Sequence, residues 1–244
     1  MKPLLLALET ATDVCSVALF AGETLCFEAI LQRGRIHAEQ LVPLIANALE
    51  RCERQAAELD AVAVSMGPGS YTGLRVGVST AKGLVEATGA RLIGVPTLEA
   101  LAASVIPFAE PHDLVVPLLN SRRTEVYAAI YRITPDATLH PLAAPAALEA
   151  ASVPEWLPSI EASHHTWLVG EGVQRVSAHL PEDSTTLRLL DPAQHSLRAF
   201  WVGWLGLARY RAERFEEVAT FEPFYLKDFV AKPYRHAPAP SLSS

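Results

Sequence analysis

The chain has 244 residues, 50% of them hydrophobic and 19% charged, with a net charge of −7. That apolar content excludes an extended disordered chain. The balance of 20 Lys+Arg against 27 Asp+Glu excludes a general nucleic-acid binder that works by neutralising phosphates. Three cysteines, Cys15, Cys26 and Cys52, are too scattered for a disulfide framework or a Cys-x-x-Cys metal site, and they fit a reducing cytoplasm.

Met1-Lys2-Pro3 and the apolar run Leu4 to Leu8 begin like a signal peptide. The run ends at Glu9 without a small-residue cleavage pattern, so it reads as a first strand. Leu4–Ala11, Cys15–Ala21 and Leu25–Leu31, separated by Thr12-Asp13 and Gly22-Glu23, predict three antiparallel strands. The period then changes: Leu41, Leu44, Ile45, Ala48, Leu49 and Cys52 form one stripe of an amphipathic helix, with Pro43 near its start.

Ala61–Met66 is almost wholly apolar, as a strand covered on both faces would be. The glycine-rich loop Gly67-Pro68-Gly69-Ser70-Tyr71-Thr72-Gly73 follows, and a helix is predicted from Leu74 to Ala87 with Gly89 as its terminator. Arg91–Val95 reads as a strand and Pro96–Val105 as a helix with proline at a favoured N-terminal position.

Pro107 to Asp113 reads as a hinge, beyond which the pattern partly repeats. Strands are predicted at Leu114–Leu119, Glu125–Ile133, Thr166–Val169 and Leu187–Leu190, with Gly170-Glu171-Gly172 as a turn. A short helix is predicted near Ala146–Ala151, and a long one from Ala193 to Glu213 that closes the second half. The longest apolar run, Ala199 to Ala208, is about half the length of a membrane span. The expected architecture is α/β with mixed sheets in two lobes, residues 1–106 and 107–232, followed by a disordered Pro/Ala/Ser-rich tail over 233–244.

The loop from Gly67 to Gly73 lies between a strand and a helix, where backbone N–H groups of Gly67, Gly69, Ser70 and Thr72 are placed either to hold an anion or to make a tight turn. No known phosphate fingerprint fits it. Gly73-Leu74-Arg75 stands where a P-loop needs Gly-Lys-Ser/Thr, and Gly67, Gly69 and Gly73 miss the dinucleotide spacing by one. Gly73, Gly77 and Ala81 make a flat stripe on the next helix, suited to close packing inside the monomer or against a partner. The eight histidines include no i, i+4 pair and no zinc spacing. His37 reads as a capping or surface residue, Glu9-Thr10-Ala11-Thr12-Asp13 as a solvated hairpin, and Asn120-Ser121-Arg122-Arg123 as an exposed turn.

Three stretches carry a family likeness. Leu6-Ala7-Leu8-Glu9-Thr10-Ala11-Thr12 with Cys15-Ser16-Val17-Ala18-Leu19, then His37-Ala38-Glu39-Gln40-Leu41-Val42-Pro43, and Gly67 to Gly77, resemble the TsaB (YeaZ) family. Gly94-Val95-Pro96-Thr97-Leu98, Glu125-Val126-Tyr127 and Glu222-Pro223-Phe224-Tyr225-Leu226 extend the likeness to about residue 230.

The resemblance implies a two-lobed fold of the actin-like ATPase and sugar-kinase type. It also implies a part in making threonylcarbamoyladenosine beside the tRNA anticodon, as a non-catalytic partner of a TsaD-like transferase together with a TsaE-like ATPase. A second copy of the chain would take the partner's place in its absence, and tRNA would be held mainly through the complex. No cofactor is implied for this chain alone, and a nucleotide at the partner interface stays open. The TsaD-like relatives carry a metal-binding His-x-x-x-His pair where this chain has Thr97 and Leu101. Glu9 and Asn120 stand where many relatives have Asp or another acid, which departs from a nucleotide site. The implied interface lies on Leu41, Leu44, Ile45, Ala48 and Leu49 of one helix and Gly73, Gly77, Ala81 and Leu84 of the next. The rival from another class is an ATP-dependent kinase or ATPase acting alone; a metallopeptidase has neither metal pair nor nucleophile motif to support it.

Overall fold

The computed structural model describes residues 2–34, 36–158, 163–181 and 184–227, so the expected tail lies outside the described residues. The first half runs β1 (Leu4–Glu9), β2 (Val14–Ala21), β3 (Thr24–Gln32), α1 (His37–Arg51), β4 (Ala61–Gly67), α2 (Tyr71–Thr88), β5 (Arg91–Pro96) and α3 (Thr97–Ala103). The second runs β6 (Leu114–Asn120), β7 (Glu125–Ile133), β8 (Leu139–Glu149), α4 (Val153–Trp156), β9 (Thr166–Val169), α5 (Val173–Ser177), β10 (Leu187–Leu189) and α6 (Ala199–Arg211).

The partial repeat is a duplication of one topology. The two sheets have the orders β3-β2-β1-β4-β5 and β8-β7-β6-β9-β10. In each, the first strand pairs antiparallel with the second and parallel with the fourth. The second and third strands pair antiparallel, and the fourth and fifth pair parallel. Each sheet is therefore mixed, with its first strand in the middle.

Alternation along β1 shows why that strand is apolar throughout. Leu6 and Leu8 join a core with Leu41 and Ile45 of α1 and Val78 and Ala81 of α2. Leu5 and Ala7 join the opposite core with Ala199, Val202 and Leu205 of α6. A strand covered on both faces has no polar side to show. At the end of α2, Gly89 adopts φ 76°, the left-handed cap its position predicts.

Two elements differ from expectation. Ala146 to Glu149 belongs to β8, whose pairing with β7 runs on to Glu125↔Glu149, and the helical residues begin only after it, with a 3-10 turn at Ala150–Ser152 leading into the short α4. Ladder bonds to β7 override the helix propensity of an alanine-rich stretch. The last helix is shorter than predicted, starting at Ala199 after an extended Arg198. It also packs on the first sheet and not the second: a Cβ on Gly203 would strike Phe20, and one on Gly206 would strike Ala63. The chain thus crosses back, and the second half of the sequence supplies one cover of the first sheet. Among the described residues no helix is long and apolar enough to cross a membrane.

Candidate functional site

Duplicated topology brings equivalent corners face to face. The turn after β1 (Ala11, Thr12, Asp13), the loop after β4 (Gly69, Ser70, Tyr71), the turn after β6 (Asn120, Ser121, Arg122) and the Glu171 turn after β9 line one cleft of about 420 Å³. Arg175 of α5 and the segment Tyr225 to Lys227 complete its wall. A second cavity of about 370 Å³ adjoins it and shares Thr12, Asp13, Leu119 and Glu171.

The first corner is not the solvated hairpin its polar letters suggest. Glu9 and Thr10 are fully buried. The Glu9 carboxylate accepts hydrogen bonds from Ser65 Oγ and from Ala11 N at 2.5 Å. Burial nevertheless dominates and pushes its pKa up to about 7. His37, expected as a cap or surface residue, is buried too, with Nε2 3.2 Å from the Val14 carbonyl oxygen.

In the glycine-rich loop two of the four amides of the anion reading, those of Gly67 and Ser70, are engaged inside the chain, as is that of Gly73. Gly67 N donates to Thr97 Oγ1 at 2.9 Å, Ser70 N to the Ala11 carbonyl at 2.7 Å, and Gly73 N to Ser70 Oγ at 3.3 Å. Thr72, the fourth residue of the anion reading, is an exposed first-turn residue of α2. The glycines allow close approach: a Cβ on Gly69 would lie within 3.0 Å of Ala11, and Gly67 has φ 119°. Fastening continues from the C-terminal segment, where Phe224 N donates to the Met66 carbonyl at 2.6 Å and Tyr225 stacks on Tyr71 at 4.9 Å between ring centres. Arg75 spans that stack, lying 4.2 Å over the Tyr71 ring and bonding Tyr225 Oη at 3.3 Å.

The second corner is where polar groups stand unanswered. Asn120 Oδ1 and Ser121 Oγ are buried atoms with no hydrogen-bond partner among the described residues. Glu171 accepts the Asn120 N–H at 3.1 Å, and burial together with the Asp13 carboxylate raises its pKa. Arg175 donates to the Ser121 and Glu125 carbonyls at 3.2 and 2.8 Å. Lys227 pairs with Glu125. In the sequence Asn120 and Ser121 read as an exposed turn, because polar letters do not reveal that a second corner closes over them.

The predicted interface residues fall into two groups. Leu41, Ile45, Ala48, Gly73, Gly77 and Ala81 are buried within the chain itself, the first three with Leu6 and Leu8. Leu44, Leu49 and Leu84 are half-buried at the edge of the same core. The stripe that predicted a partner surface is the stripe that holds the two helices on the sheet. Exposed on those helices are Ala38, Glu39, Val42, Pro43, Ala46, Glu50 and Arg51 of α1 and Thr72, Arg75, Ser79, Gly83, Glu86 and Ala87 of α2; Val42 is 59% exposed. Thr97 and Leu101 are both fully buried. The Thr97 hydroxyl holds Gly67 N, and Leu101 packs at Gly170.

Comparison with known proteins places these features. The family model of tRNA N6-adenosine threonylcarbamoyltransferase (TsaD) matches residues 32–232. The tRNA threonylcarbamoyladenosine biosynthesis protein TsaB of Bacillus subtilis is 32% identical over 128 residues, 52% of this chain and 55% of its own length. That of Haemophilus influenzae is 36% identical over 124 residues and matched over 51% of its length, so the aligned stretch spans about half of these two relatives. TsaB of Escherichia coli is 28% identical over 230 residues, covering 93% of this chain and 96% of its own. Among solved structures, YeaZ from Pseudomonas aeruginosa superposes with a TM-score of 0.77 at 25% identity over 92% of this chain and the whole of the other. The architecture is the one expected in class and sheet type: α/β with two mixed sheets.

Proposed function

This chain belongs to the TsaB/YeaZ family, within the wider group matched by the threonylcarbamoyltransferase model, and from that premise we propose that it is the non-catalytic partner of a TsaD-like transferase in tRNA N6-threonylcarbamoyladenosine formation. The observation that carries the reading is the occupation of Thr97 and Leu101. At the two positions where the resemblance to TsaD-like transferases implies metal-binding histidines, this chain has a hydroxyl that holds the Gly67 amide and a leucine fixed in the core. Neither side chain offers a metal what an imidazole does.

A partner subunit would dock on the outward faces of α1 and α2. Val42, Pro43, Ala38 and Ala46 give that face an apolar patch bordered by the charged Glu39 and Glu50, and Gly83, with open space where a Cβ would stand, lets another backbone approach. The same face would serve a second copy of the chain, and a TsaE-like ATPase would join the assembled pair. The net charge of −7 leaves most tRNA contact to the other subunits.

The test is reconstitution of tRNA threonylcarbamoylation from a TsaD-like transferase, a TsaC-type enzyme and a TsaE-like ATPase, with and without this chain. Modification that requires the chain, and is lost together with transferase co-purification in Val42→Asp or Gly83→Arg, supports the proposal. Full modification without the chain overturns it, and unchanged co-purification by both variants overturns the docking face. Charges at Leu41, Ile45 or Gly77 would strike the chain's own core and report folding instead.

A further inference from the structure

The cleft between the two sheets is more than a seam, because unpaired polar groups of opposite kinds line it together. Three acceptors gather where the two cavities meet. Asp13 and Glu171 line both cavities, and Asn120, whose buried Oδ1 lacks a donor, gives its N–H to Glu171. Glu171 uses one carboxylate oxygen for that bond, and neither carboxylate forms an ion pair among the described residues.

The cations line the larger cavity and not the smaller one. Arg175 gives hydrogen bonds through Nη1 to two carbonyls, which satisfy donors without cancelling charge; its charge acts on Glu171 from beyond ion-pair distance, and it forms no ion pair among the described residues. Ser121 Oγ, also without a partner, stands beside it, since Arg175 holds the Ser121 carbonyl. Tyr71, Tyr127, Tyr225, Leu119 and Leu226 supply apolar wall.

A buried acceptor without a donor, and a partly buried charge such as that of Glu171 without an ion-pair partner, both gain when a complementary group arrives. A plain anion would meet Arg175 but be repelled by Asp13 and Glu171, and would leave Asn120 Oδ1 unsatisfied. A plain metal cation would satisfy the acceptors and leave Arg175 unanswered. A polyphosphate brings several negative charges toward two carboxylates. Only a molecule with a donating cation at one end and an anion at the other answers both sets.

We infer that this cleft binds a small zwitterion, an ammonium set against Asp13, Glu171 and Asn120 Oδ1 and a carboxylate set against Arg175 and Ser121. A cleft of about 420 Å³ is at the small end of ligand pockets, in keeping with a ligand of amino-acid size. The inference concerns the cleft and not the outer helix face, so it stands or falls separately from the docking proposal.

The experiment is ligand-observed NMR and calorimetry on the full chain, with free amino acids of increasing amine-to-carboxylate spacing (alanine, β-alanine, 4-aminobutyrate) as probes. Ethylamine, acetate, inorganic phosphate, magnesium chloride and magnesium ATP are the comparison arms. The expected result is saturable binding of at least one amino acid at least tenfold tighter than ethylamine or acetate, weakened tenfold or more by Glu171→Gln. Glu171→Gln is the deciding variant because it keeps an acceptor for the Asn120 N–H, and an unchanged melting temperature shows that it folds. Arg175→Gln is read beside it, with retained ethylamine affinity marking loss at the anion end alone. No amino acid binding at 10-fold the concentration that saturates a typical millimolar site, binding unaffected by a folded Glu171→Gln, or tighter binding of phosphate, magnesium or magnesium ATP than of any amino acid overturns the inference.

Discussion

Thr10 Oγ1 donates a 2.8 Å hydrogen bond to the Gly73 carbonyl, joining the β1 corner to the first turn of α2 across 63 residues of sequence. The contact fixes how near that helix lies to the sheet. A Cβ on Gly73 would fall within 3.0 Å of the Thr10 carbonyl oxygen, and one on Gly77 within 3.0 Å of Thr10 Oγ1. Nothing lies within 4 Å of the equivalent point on Gly83, six residues further along the same helix.

Gly77 and Gly83 give opposite expectations for one substitution. Gly77→Ala forces the helix off the corner and should cost about 1–3 kcal/mol, the usual range for overpacking. Gly83→Ala removes only the backbone freedom of an exposed helical glycine and should add about 0.5–1 kcal/mol. Urea unfolding of the two variants checks the pair, and equal effects would mean that α2 does not sit as closely as the Thr10 contact implies.

Glu9 makes stability depend on pH in a particular direction. Its native pKa of about 7 lies above the ordinary 4.5, so the folded chain holds this proton more tightly than the unfolded chain does. Stability from this group is therefore greatest below pH 4.5, falls as pH rises through the interval to about 7, and is flat above it. The full span is about 3 kcal/mol for a shift of this size. Glu9→Gln cannot ionise, so its unfolding free energy should lose less than the parent's between pH 5 and 7.5, whatever its absolute value. A parallel decline in both proteins would remove Glu9 as the source.

Much of the fold was legible because the two hydrophobic periods are clean in this sequence. Leu41, Ile45 and Ala48 recur with helical spacing, and Leu4 to Leu8 is apolar without interruption. What the period did not reveal is direction. The stripe Leu41, Ile45, Ala48, Gly73, Gly77 and Ala81 marks an inner face equally well whether it meets its own sheet or another subunit, and here it meets its own sheet. The exposed Val42 that now marks the outer face is a single residue without a pattern. The cleft was harder still. Asp13, Asn120 and Glu171 come from three turns more than fifty residues apart, each ordinary by itself, and only the duplicated sheet order brings them to one place.

The three cysteines should separate by reactivity although none is disulfide-bonded. Cys15 is fully buried, and burial, with the neighbouring Glu9 charge adding to it, pushes its thiol up to about 11. Cys52 is half-buried with its pKa also raised by burial, and Cys26 is exposed on β3. Since the thiolate is the reacting species, iodoacetamide at pH 8 should modify Cys26 first, Cys52 more slowly, and Cys15 only after denaturant is added. Peptide mass mapping over a time course reads the order, and early labelling of Cys15 would contradict its place beneath α1.

Asp113, at the end of the stretch read as a hinge, is an anchor. It is 1% exposed, and its Oδ1 accepts the His165 N–H at 2.7 Å. Its Oδ2 accepts Trp167 Nε1–H at 2.8 Å and the Glu110 N–H at 3.1 Å. One carboxylate thus ties the entry to β6 to the start of β9 and to the preceding turn. Removing it leaves three donors to be resolved at once, so Asp113→Ala should cost about 3 kcal/mol, because hydrogen bonds to a charged group are worth about 1.5–3 kcal/mol each and their losses overlap. Asp113→Asn keeps the shape but turns one acceptor toward a donor, and should still cost about 2 kcal/mol. Trp167→Phe removes a single donor, and a double-mutant cycle with Asp113→Asn should show a coupling of at least 1 kcal/mol. The environment of Trp167 gives an independent reading, since its emission should shift in both Asp113 variants while the protein is still folded. A coupling near zero, with unshifted emission, would mean that Asp113 holds the turn through Glu110 and His165 alone.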